Sequence, residues 1–598
     1  MIARWLCGLT ALALLLAPAA CNGTKPDPKR KPALVADAPR EDEEPAGPNV
    51  FEDVTGKTGI QFTYSNGEKT ANHMSILESL GGGAGLIDFD GDGLLDVFLP
   101  GGGEFTGADK KEIVGRPCKL YRNLGGWKFE DVTARAGLDR PWFYTHGVAV
   151  TDYDRDGWPD LLVTGWRAVA LYRNVPVDPK DPGKGRRFED VTKAAGLDTG
   201  ITWATSAAFA DFDGDGYPDL YLGQYVDWSW EKNPSCNYDG KTPDVCPPRH
   251  FAGLQHLVFH NTGKGAFVNV TKEAGLRPGG DAASKGLGVL AVDVNGDGKP
   301  DVYVANDTVD NFLYVNKSKP GQIRFEEVGL ISGTARDGRG TPNGSMGLDA
   351  GDPDRIGKPS IWVTNYENEL HALYRNGCTP TLTYFDYNTE AAGIAALGQT
   401  FVGWGTAFLD VDLDGWEDIF VSNGHAIRFP TGKGVTRLQR PVLMRNNKGR
   451  FEKVSKRIGD YGQRQHLGRG VAFGDLDNDG RIDLVLAHTN EPVSVLRGIG
   501  GEGHHWLGVR LAGKGHADYV GAKVTLEANG ERQTRFAKGG GSYASANDRR
   551  FVFGLGKADK VTSLEVAWPD GTNQKLTGLA VDRYWVLTQG EKDAKPMR

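Results

Sequence analysis

A nine-residue acidic pattern, with aspartates at positions 1, 3, 5 and 9 and glycine at position 6, recurs through most of this 598-residue chain. Successive copies begin about sixty residues apart, and self-similarity at such a period indicates a repeat architecture rather than one compact enzyme core. The spacing widens once, where an insertion carries Cys236 and Cys246. The intact copies begin at Asp88, Asp152, Asp211, Asp293, Asp410 and Asp475, and an eroded copy runs from Asp352 to Ser360.

The segments on both sides of each acidic loop predict β-strands, because apolar and polar residues alternate there, as in HGVAVTDYD and DLLVTGW. A second element, a phenylalanine followed by a short β pattern, also occurs seven times. It starts at Phe51, before the first loop, and is missing after the last one. If every unit needs both elements, the segment at Phe51 completes the unit that holds Asp475 and closes a ring of sheets. We therefore predict an all-β fold, a seven-bladed β-propeller followed by a small all-β domain.

The acidic loops have the composition of a site for a hard divalent cation. A turn that needs glycine at position 6 gathers the side chains of positions 1, 3, 5 and 9, and the carbonyl of position 7 adds an oxygen. This flexible oxygen shell suits Ca²⁺ better than Mg²⁺, which demands octahedral geometry and keeps its waters. We predict about six calcium sites. Their expected ligands are Asp88, Asp90, Asp92, Leu94 and Asp96; Asp152, Asp154, Asp156, Trp158 and Asp160; Asp211, Asp213, Asp215, Tyr217 and Asp219; Asp293, Asn295, Asp297, Lys299 and Asp301; Asp410, Asp412, Asp414, Trp416 and Asp418; and Asp475, Asp477, Asp479, Arg481 and Asp483.

Two details refine the calcium prediction. An EF-hand would place a bidentate glutamate at position 12 between two helices, whereas position 12 of the first loop is Leu99, inside a predicted strand. The eroded loop has Ile356 and Ser360 at positions 5 and 9, so we expect no ion there. The alternative for the intact loops is a set of solvated turns without metal. Ion binding would relieve the mutual repulsion of clustered carboxylates.

The acidic loops and the strands after them resemble FG-GAP/VCBS repeats, the calcium-bearing blades of integrin α-subunit propellers and of many bacterial surface proteins. The resemblance implies a propeller over residues 50–500 and a use in adhesion, ligand binding or scaffolding.

After Ile499 the acidic loops stop, and short alternating strands between glycine turns predict a separate all-β domain over residues 501–590. This part, including the segment GGGSYASAND, resembles the ASPIC/UnbV domain of the cartilage acidic protein-like family. The matching residues are His505-Trp506-Leu507, Gly521-Ala522, Gly539-Gly540-Gly541, Ser545, Phe553-Gly554-Leu555-Gly556 and Trp568-Pro569.

Residues 1–20 have the pattern of an export signal, with Arg4 before an uncharged stretch that ends in small residues. The small residues before Cys21 resemble a bacterial lipoprotein signal, which implies a lipid anchor on Cys21; an ordinary cleaved signal is the alternative. Residues 21–49, rich in proline and in charges of both signs, predict a flexible tether. We expect an exported protein of the cell envelope, an outer membrane lipoprotein on the periplasmic side or at the cell surface.

Cys236 and Cys246 lie ten residues apart in one loop-like insertion. Because an exported protein meets oxidising conditions, we predict a disulfide between them, with a metal-binding pair as the weaker alternative.

The sequence contains no HExxH, GxSxG, GxxxxGK[ST] or CxxC signature, and its net charge of −8 argues against a nucleic-acid partner. We therefore expect a non-enzymatic protein that binds a protein or polysaccharide ligand and meets the membrane only through its lipid anchor. A carbohydrate-active enzyme that uses the propeller face and a structural envelope or matrix protein are the alternatives. At position 7, Trp158, Tyr217 and Trp416 are expected to pack within the blades, with a sugar-stacking surface as the alternative.

Overall fold

Seven antiparallel sheets, six of four strands and one of five, form most of the structure, a computed structural model that describes residues 44–276, 284–379 and 381–597. We number blades and loops along the chain, so that loop 1 begins at Asp88, loop 5 is the eroded loop at Asp352, and loop 7 begins at Asp475. Each acidic loop joins the first two strands of its blade.

The strands of blades 1 to 4 are Gly85–Ile87, Asp96–Leu99, Lys119–Asn123 and Phe129–Asp131; Thr145–Thr151, Asp160–Gly165, Ala168–Pro176 and Arg186–Asp190; Ala204–Ala210, Asp219–Gln224, Leu257–Asn261 and Phe267–Asn269; and Gly286–Val292, Asp301–Asn306, Phe312–Asn316 and Phe325–Glu327. Those of blades 5 to 7 are Leu348–Gly351, Ser360–Val363, Ala372–Asn376 and Phe385–Tyr387; Gly403–Leu409, Asp418–Asn423, Val442–Asn447 and Arg450–Lys453; and Gly468–Gly474, Asp483–His488, Ser494–Gly498 and Phe51–Asp53.

The sheets stand in a closed ring. In every blade the strand before the acidic loop is innermost and the strand that contains the phenylalanine element is outermost. Each innermost strand contacts the innermost strands of both neighbouring blades, including the contact between blade 7 and blade 1. Phe51 pairs with Gly498, so the N-terminal segment completes the last blade, as its order in the sequence predicted. The all-β propeller fold is confirmed, and the described residues contain seven such sheets.

The blades are buried on both faces because each one packs against two neighbours. The strand Asp160–Gly165 is buried along its whole length. Between blades 1 and 2, apolar side chains such as Phe98, Leu161 and Val163 from facing sheets form one continuous cluster. Successive side chains of these strands therefore point to two different faces of the sheet, and each face is buried against a different neighbouring blade.

Helices are few and short in the described residues. Two are α-helical, Thr55–Thr58 and Gly329–Ser332, and the 3₁₀ turns are Ile76–Ser79, Pro182–Lys184, Trp230–Lys232, Pro248–His250, Ile394–Leu397, Ser455–Ile458, Tyr461–Gln463 and Lys514–His516. Within the described ranges, no helix combines the length and the apolar character needed to cross a bilayer.

The C-terminal domain consists of two four-stranded sheets. One contains Phe551–Gly556, His505–Ala512, Tyr584–Thr588 and Lys595–Pro596, and the other contains Glu531–Phe536, Lys523–Ala528, Ser563–Ala567 and Asn573–Leu576. Leu507, Val524 and Leu564 are fully buried in the apolar core that the two sheets share.

Residues 539–548, which we call the central segment, lie within the propeller ring. The sequence placed them among the segments of the C-terminal domain, and in the structure Gly539–Gly540 of this segment pairs with the innermost strand of blade 4. Every innermost strand exchanges at least one hydrogen bond with this segment. Their partner residues are Leu86, Val148, Ser206, Val289, Leu348, Thr406 and Phe473. The segment thus satisfies backbone groups that the seven inner edges would otherwise leave unpaired.

The two faces of the ring differ. The C-terminal domain contacts the acidic loops, for example through Trp506, which packs against Gly480 of loop 7. The opposite face, which we call the open face, carries the loops between the second and third strands of the blades. One of these holds the hairpin Cys236–Asn237 and Pro243–Asp244, with a disulfide between Cys236 and Cys246. In the loop of blade 1, Gly102–Thr106 pairs with Ser65–Asn66 and with Glu112–Gly115. Cys118 and Cys378 are free and buried.

The predicted signal and Cys21 lie outside the described residues. Residues 44–49, which the sequence placed in the flexible tether, contact the propeller instead. Glu44 forms an ion pair with Lys453 at 2.9 Å, and Arg457 Nε donates to the carbonyl of Pro48 at 3.1 Å. Contacts with the blades therefore start before residue 50, because these charges and carbonyls find partners there.

Candidate metal centres

The backbone of every intact loop is shaped by hydrogen bonds to the aspartate at position 1. The N–H of position 6 donates to this carboxylate over 2.7–3.2 Å in all six loops. Position 6 has a positive φ, 86° at Gly415 and 84° at Gly480, a region that favours glycine. Glycine at this position is thus a requirement of the turn itself.

The aspartate at position 9 ties the loop to its own blade. Its Oδ2 accepts the N–H of position 2 over 2.7–3.1 Å in every intact loop. Its Oδ1 accepts an N–H from the third strand over 2.6–2.8 Å. This carboxylate therefore orients the loop in addition to any contact that it makes with an ion.

Carboxylates from positions 1, 3 and 9 converge in the first three loops. In each of these loops, one oxygen from each of the three side chains lies within 4.8 Å of the others. The groups are Asp88, Asp90 and Asp96; Asp152, Asp154 and Asp160; and Asp211, Asp213 and Asp219. Several acidic clusters of this chain could therefore hold a metal ion.

Position 5 is held differently. Its Oδ1 accepts the N–H of position 7 in every intact loop over 2.8–3.0 Å. In four loops its Oδ2 pairs with an arginine from the third strand of the same blade. These arginines are Arg122, Arg173, Arg445 and Arg497, paired with Asp92, Asp156, Asp414 and Asp479. Oδ2 of position 5 is therefore committed to an arginine in these loops.

The same four arginines also contact position 3, so each one bridges two carboxylates. The distances from Nε to Oδ2 of Asp90, Asp154, Asp412 and Asp477 are 2.5, 2.5, 2.9 and 3.2 Å. We call these residues clamp arginines. The sequence did not connect these arginines with the acidic loops, because each arginine lies on the third strand of its blade, well after the loop in the chain.

Unpartnered oxygens point to a cation at these loops. Oδ1 of Asp88, Asp90, Asp412 and Asp477 is buried without a hydrogen-bond partner among the described residues, and so is Oδ1 of Asp354 in the eroded loop. Asp412 is only 9% exposed. A buried carboxylate oxygen without a partner is costly unless a cation or a donor satisfies it. The residues present thus fit a bound divalent cation, with oxygens of the type that Ca²⁺ prefers.

The electrostatics of the clusters agree with this fit. Burial, together with repulsion from neighbouring carboxylates, raises the pKa of Asp211 to about 8 and the pKa of Asp475 to about 7. Burial and the neighbouring Asp156 and Asp154 together raise the pKa of Asp152 to about 7. Without a counter-ion, these loops hold negative charge at a cost, and a divalent cation would remove that cost.

The eroded loop keeps the turn and loses the cluster. Asp352 still accepts the N–H groups of positions 5 and 6 at 2.8 Å. Asp354 still pairs with an arginine, Arg375, from the third strand. Ser360 replaces the position 9 carboxylate and accepts the N–H of Asn376 through Oγ at 3.3 Å. The loop therefore preserves its shape with two carboxylates.

Asparagines link neighbouring loops around the ring. The Nδ2 of Asn123 donates to the carbonyl of Leu95 in its own loop, at 3.1 Å, and to that of Leu476 in loop 7, at 2.8 Å. Equivalent asparagines bridge successive loops in blades 2 to 6. They are Asn174, Asn261, Asn316, Asn376 and Asn446. A backbone displacement in one of these loops therefore alters a hydrogen bond that the same asparagine shares with the neighbouring loop.

The aromatic residues at position 7 do not offer free ring faces. Arg186 lies 3.9 Å from the ring centroid of Trp158, Arg155 lies 4.7 Å from that of Tyr217, and Arg355 lies 3.9 Å from that of Trp416. Each arginine stacks on a ring that a sugar would otherwise use.

One further group of possible ligands does not form a site. His466, His488 and Glu491 lie close together, and the two imidazoles stack with centroids 4.8 Å apart. Both ring nitrogens of His488 already have partners, the carbonyl of Pro492 at 2.6 Å and the hydroxyl of Tyr461 at 2.9 Å. This group is a hydrogen-bonded, stacked pair beneath the open face.

Comparison with known protein families agrees with both parts of the structure. The FG-GAP-like repeat family matches residues 88–163, 152–222, 255–304 and 410–486, and the ASPIC and UnbV family matches residues 512–594. This chain is an FG-GAP repeat protein with a C-terminal ASPIC/UnbV domain. The repeat match leaves out the blade with the eroded loop, whose acidic pattern has lost two aspartates.

This FG-GAP repeat protein is similar to cartilage acidic protein 1 of Xenopus tropicalis, with 25% identity over 495 residues that span 72% of this chain and 71% of the relative. It is also similar to human cartilage acidic protein 1, with 26% identity over 491 residues, 72% of this chain and 70% of the relative. A solved Agrocybe aegerita lectin is a more distant likeness, at 15% identity and a TM-score of 0.35, covering 63% of this chain and 80% of the lectin.

Proposed function

We propose that this FG-GAP repeat protein is an exported, lipid-anchored, calcium-binding surface protein that binds a protein or polysaccharide ligand. The observation that carries the calcium part is the set of buried, unpartnered Oδ1 atoms of Asp88 and Asp90 in loop 1, Asp412 in loop 6 and Asp477 in loop 7. Export and the lipid anchor on Cys21 rest on the sequence of the first residues. The domain types, which occur in surface and adhesion proteins, support the binding role.

Calcium acts as a structural cross-link in this proposal. It supplies positive charge to six clusters of carboxylates, four of which have a clamp arginine as a counter-charge, and each loop joins the two inner strands of a blade. The asparagine bridges pass this order from loop to loop. The ions thereby stiffen one end of the ring and the docking surface of the ASPIC/UnbV domain.

The ligand surface in this proposal is the open face, because the ASPIC/UnbV domain covers the acidic loops. The open-face loops carry large apolar side chains that are exposed to solvent. These are Val114, Tyr238, Phe429 and Leu438. Phe429 is 51% exposed. Apolar side chains presented by long loops on a rigid scaffold are typical of a recognition surface.

Two measurements test the calcium part. Elemental analysis of protein dialysed against buffer with a trace of calcium should find several calcium ions per chain. Thermal melting should then show a large drop in Tm on addition of EGTA, reversed by excess calcium. A protein that carries no metal and melts identically in EGTA would contradict the proposal.

Anchoring and ligand binding need separate tests. The C21S variant should leave the membrane fraction and lose the acyl mass that the wild-type protein carries. For ligand binding, envelope proteins and polysaccharides should be captured on wild-type protein and on the F429A/Y238A variant in calcium. A specific partner lost with the variant supports the open face, and equal capture by both contradicts it.

A second candidate function, catalysis on the open face, is favoured by one pair of carboxyl groups. Asp307 and Glu369 flank Gly344, whose N–H donates to Glu369 Oε2 at 2.8 Å, and Tyr225 donates to Asp307 Oδ2 at 2.6 Å. Burial raises the pKa of Asp307 to about 6 and that of Glu369 to about 7. Carboxyl groups with separated, raised pKa values can act as acid and base. Turnover of a glycan substrate that D307N and E369Q both abolish would establish this function in place of simple binding.

A further inference from the structure

The clamp position on the third strand is a second charged part of each acidic loop. In blades 1, 2, 6 and 7 it is arginine, and each clamp arginine bridges positions 3 and 5. In blade 3 it is His260, whose Nδ1 lies 3.5 Å from Asp213 Oδ2 and 3.1 Å from Asp219 Oδ1. In blade 4 it is Val315, a buried residue.

The residue at the clamp position follows the charge at position 3. Within this chain, six loops have aspartate at position 3, and all six face a cationic or protonatable side chain, including Asp354 of the eroded loop with Arg375. Loop 4 has the neutral Asn295 at position 3 and the neutral Val315 at the clamp position. The eroded loop lost its acidic residues at positions 5 and 9 but kept both Asp354 and its arginine. The arginine therefore belongs with position 3 whether or not the full cluster is present.

Each clamp arginine engages Oδ2 of both carboxylates, while Oδ1 of position 5 accepts the N–H of position 7. In blade 6, Arg445 contacts Oδ2 of Asp412 and Oδ2 of Asp414. Oδ1 of Asp412 is buried without a partner. In blades 1 and 7, Oδ1 of Asp90 and of Asp477 is likewise unpartnered. The planar fork of arginine is suited to hold two oxygens at once in a fixed direction.

We propose that the clamp arginine is a positioning residue for the ion. It turns Oδ2 of positions 3 and 5 outward, so that Oδ1 of position 3 faces the ion, and it serves as counter-charge when no ion is bound. The six intact loops then form two classes. Loops 1, 2, 6 and 7 are preformed, whereas loops 3 and 4 lack a clamp arginine and depend on the ion for their order. This inference rests on the proposed calcium binding.

A matched pair of variants tests the inference in the full-length protein. R445Q removes the clamp from an intact loop, and R375Q removes the same side chain from the eroded loop, which has no full cluster. R122Q repeats the first change in blade 1 in case R445Q folds poorly. Melting temperatures are measured in excess calcium and in EGTA, and bound calcium is titrated by calorimetry.

R445Q and R122Q should widen the Tm difference between calcium and EGTA by a few degrees, because the ion becomes the only counter-charge in those loops. R375Q should lower Tm equally in both conditions. In R445K the Tm difference between calcium and EGTA should lie between those of wild type and R445Q, because an ammonium group cannot bridge two carboxylates as a guanidinium does. H260R should narrow the difference, because it adds a clamp to loop 3.

Two results would overturn the inference, and they differ in what else they affect. In the first, wild-type protein binds calcium and responds to EGTA, but R445Q behaves like R375Q and lowers Tm by the same amount in calcium as in EGTA. The arginine is then an ordinary surface ion pair, and the calcium proposal survives. If wild-type protein binds no calcium, the calcium proposal and this inference fail together.

Discussion

Tyr584 of the ASPIC/UnbV domain donates its hydroxyl to Oδ2 of Asp475, at 2.7 Å, and Asp475 is the first residue of acidic loop 7. Both residues are buried, and Arg550 of the same domain donates to the backbone carbonyl of Asp475 at 2.6 Å. Trp506 and Tyr584 pack with Leu413 of loop 6 in one small apolar cluster. Two acidic loops of the propeller are therefore part of the joint between the domains.

The hydroxyl of Tyr584 should contribute measurably to stability. Y584F leaves a buried carboxylate oxygen without this donor, and we expect a loss of about 1–3 kcal/mol in the free energy of unfolding. Urea denaturation in calcium measures it. Y384F is the matched control, because the Tyr384 hydroxyl contacts Asp386 at the surface. Equal losses in the two variants would show that the interdomain hydrogen bond contributes no more to the free energy of unfolding than the surface one.

The central segment should be far less tolerant of substitution than a surface turn with the same backbone. Gly540 has a φ of 74°, and an added Cβ would lie 2.4 Å from the carbonyl oxygen of Val289; Gly530 has a φ of 77° with nothing within 4 Å. G530A should cost about 1–2 kcal/mol, the usual strain of a left-handed residue. G540A should cost clearly more in chemical denaturation, because it adds a clash with the innermost strand of blade 4. Similar costs would mean that the ring does not enclose this segment as described.

The disulfide should stabilise the open-face insertion locally. The double variant C236S/C246S removes the constraint on a short loop, which costs up to about 3 kcal/mol in the chain-entropy estimate. Wild-type protein should melt lower after reduction with dithiothreitol, and the double variant should not respond to the reductant. A response of the double variant would point to some other reducible group.

Glu369 should make stability depend on pH. Its folded-state pKa is raised to about 7 by burial, above its ordinary value of 4.5, so the folded protein holds a proton that the unfolded chain releases earlier. The glutamate therefore destabilises the fold increasingly as pH rises from about 4.5 to about 7. E369Q, which can still accept the N–H groups of Gly344 and Tyr366, should match wild type at pH 5 and melt higher at pH 8.

The control for this prediction is E565Q. The ion pair with Lys575 lowers the pKa of the exposed Glu565, so this variant should gain nothing at pH 8. A pH-independent difference between E369Q and wild type would show that Glu369 is not protonated in the folded protein.

Much of the propeller could be predicted from sequence patterns in and around the acidic loops. Their spacing predicted the repeat unit, the alternation around them predicted strands, and the early element at Phe51 predicted that the first strand completes the last blade. The strands follow from patterns within about ten consecutive residues, and the repeat unit and the closure follow from the order and spacing in which these patterns recur along the chain. The glycine at position 6 belongs to the same class, since the turn at Gly415 or Gly480 requires a positive φ whatever surrounds it.

The sequence did not predict the contacts that residues of other strands make with the acidic loops. Arg445 reaches Asp412 and Asp414 from another strand, and Asn123 reaches Leu476 from the opposite end of the propeller sequence. The segment at Gly539–Gly540 had the composition of a surface turn, yet it pairs inside the ring because the seven inner strands leave backbone groups to satisfy there.

The sequence by itself determined the repeating blade, the acidic turn and the closure of the ring through its first strand. Only the tertiary structure decided which carboxylates share an arginine, which face the ASPIC/UnbV domain covers and what runs through the centre. The reason is physical: turns and strand periods follow from neighbouring residues, whereas counter-charges and enclosed backbone depend on groups that meet only after hundreds of intervening residues have folded.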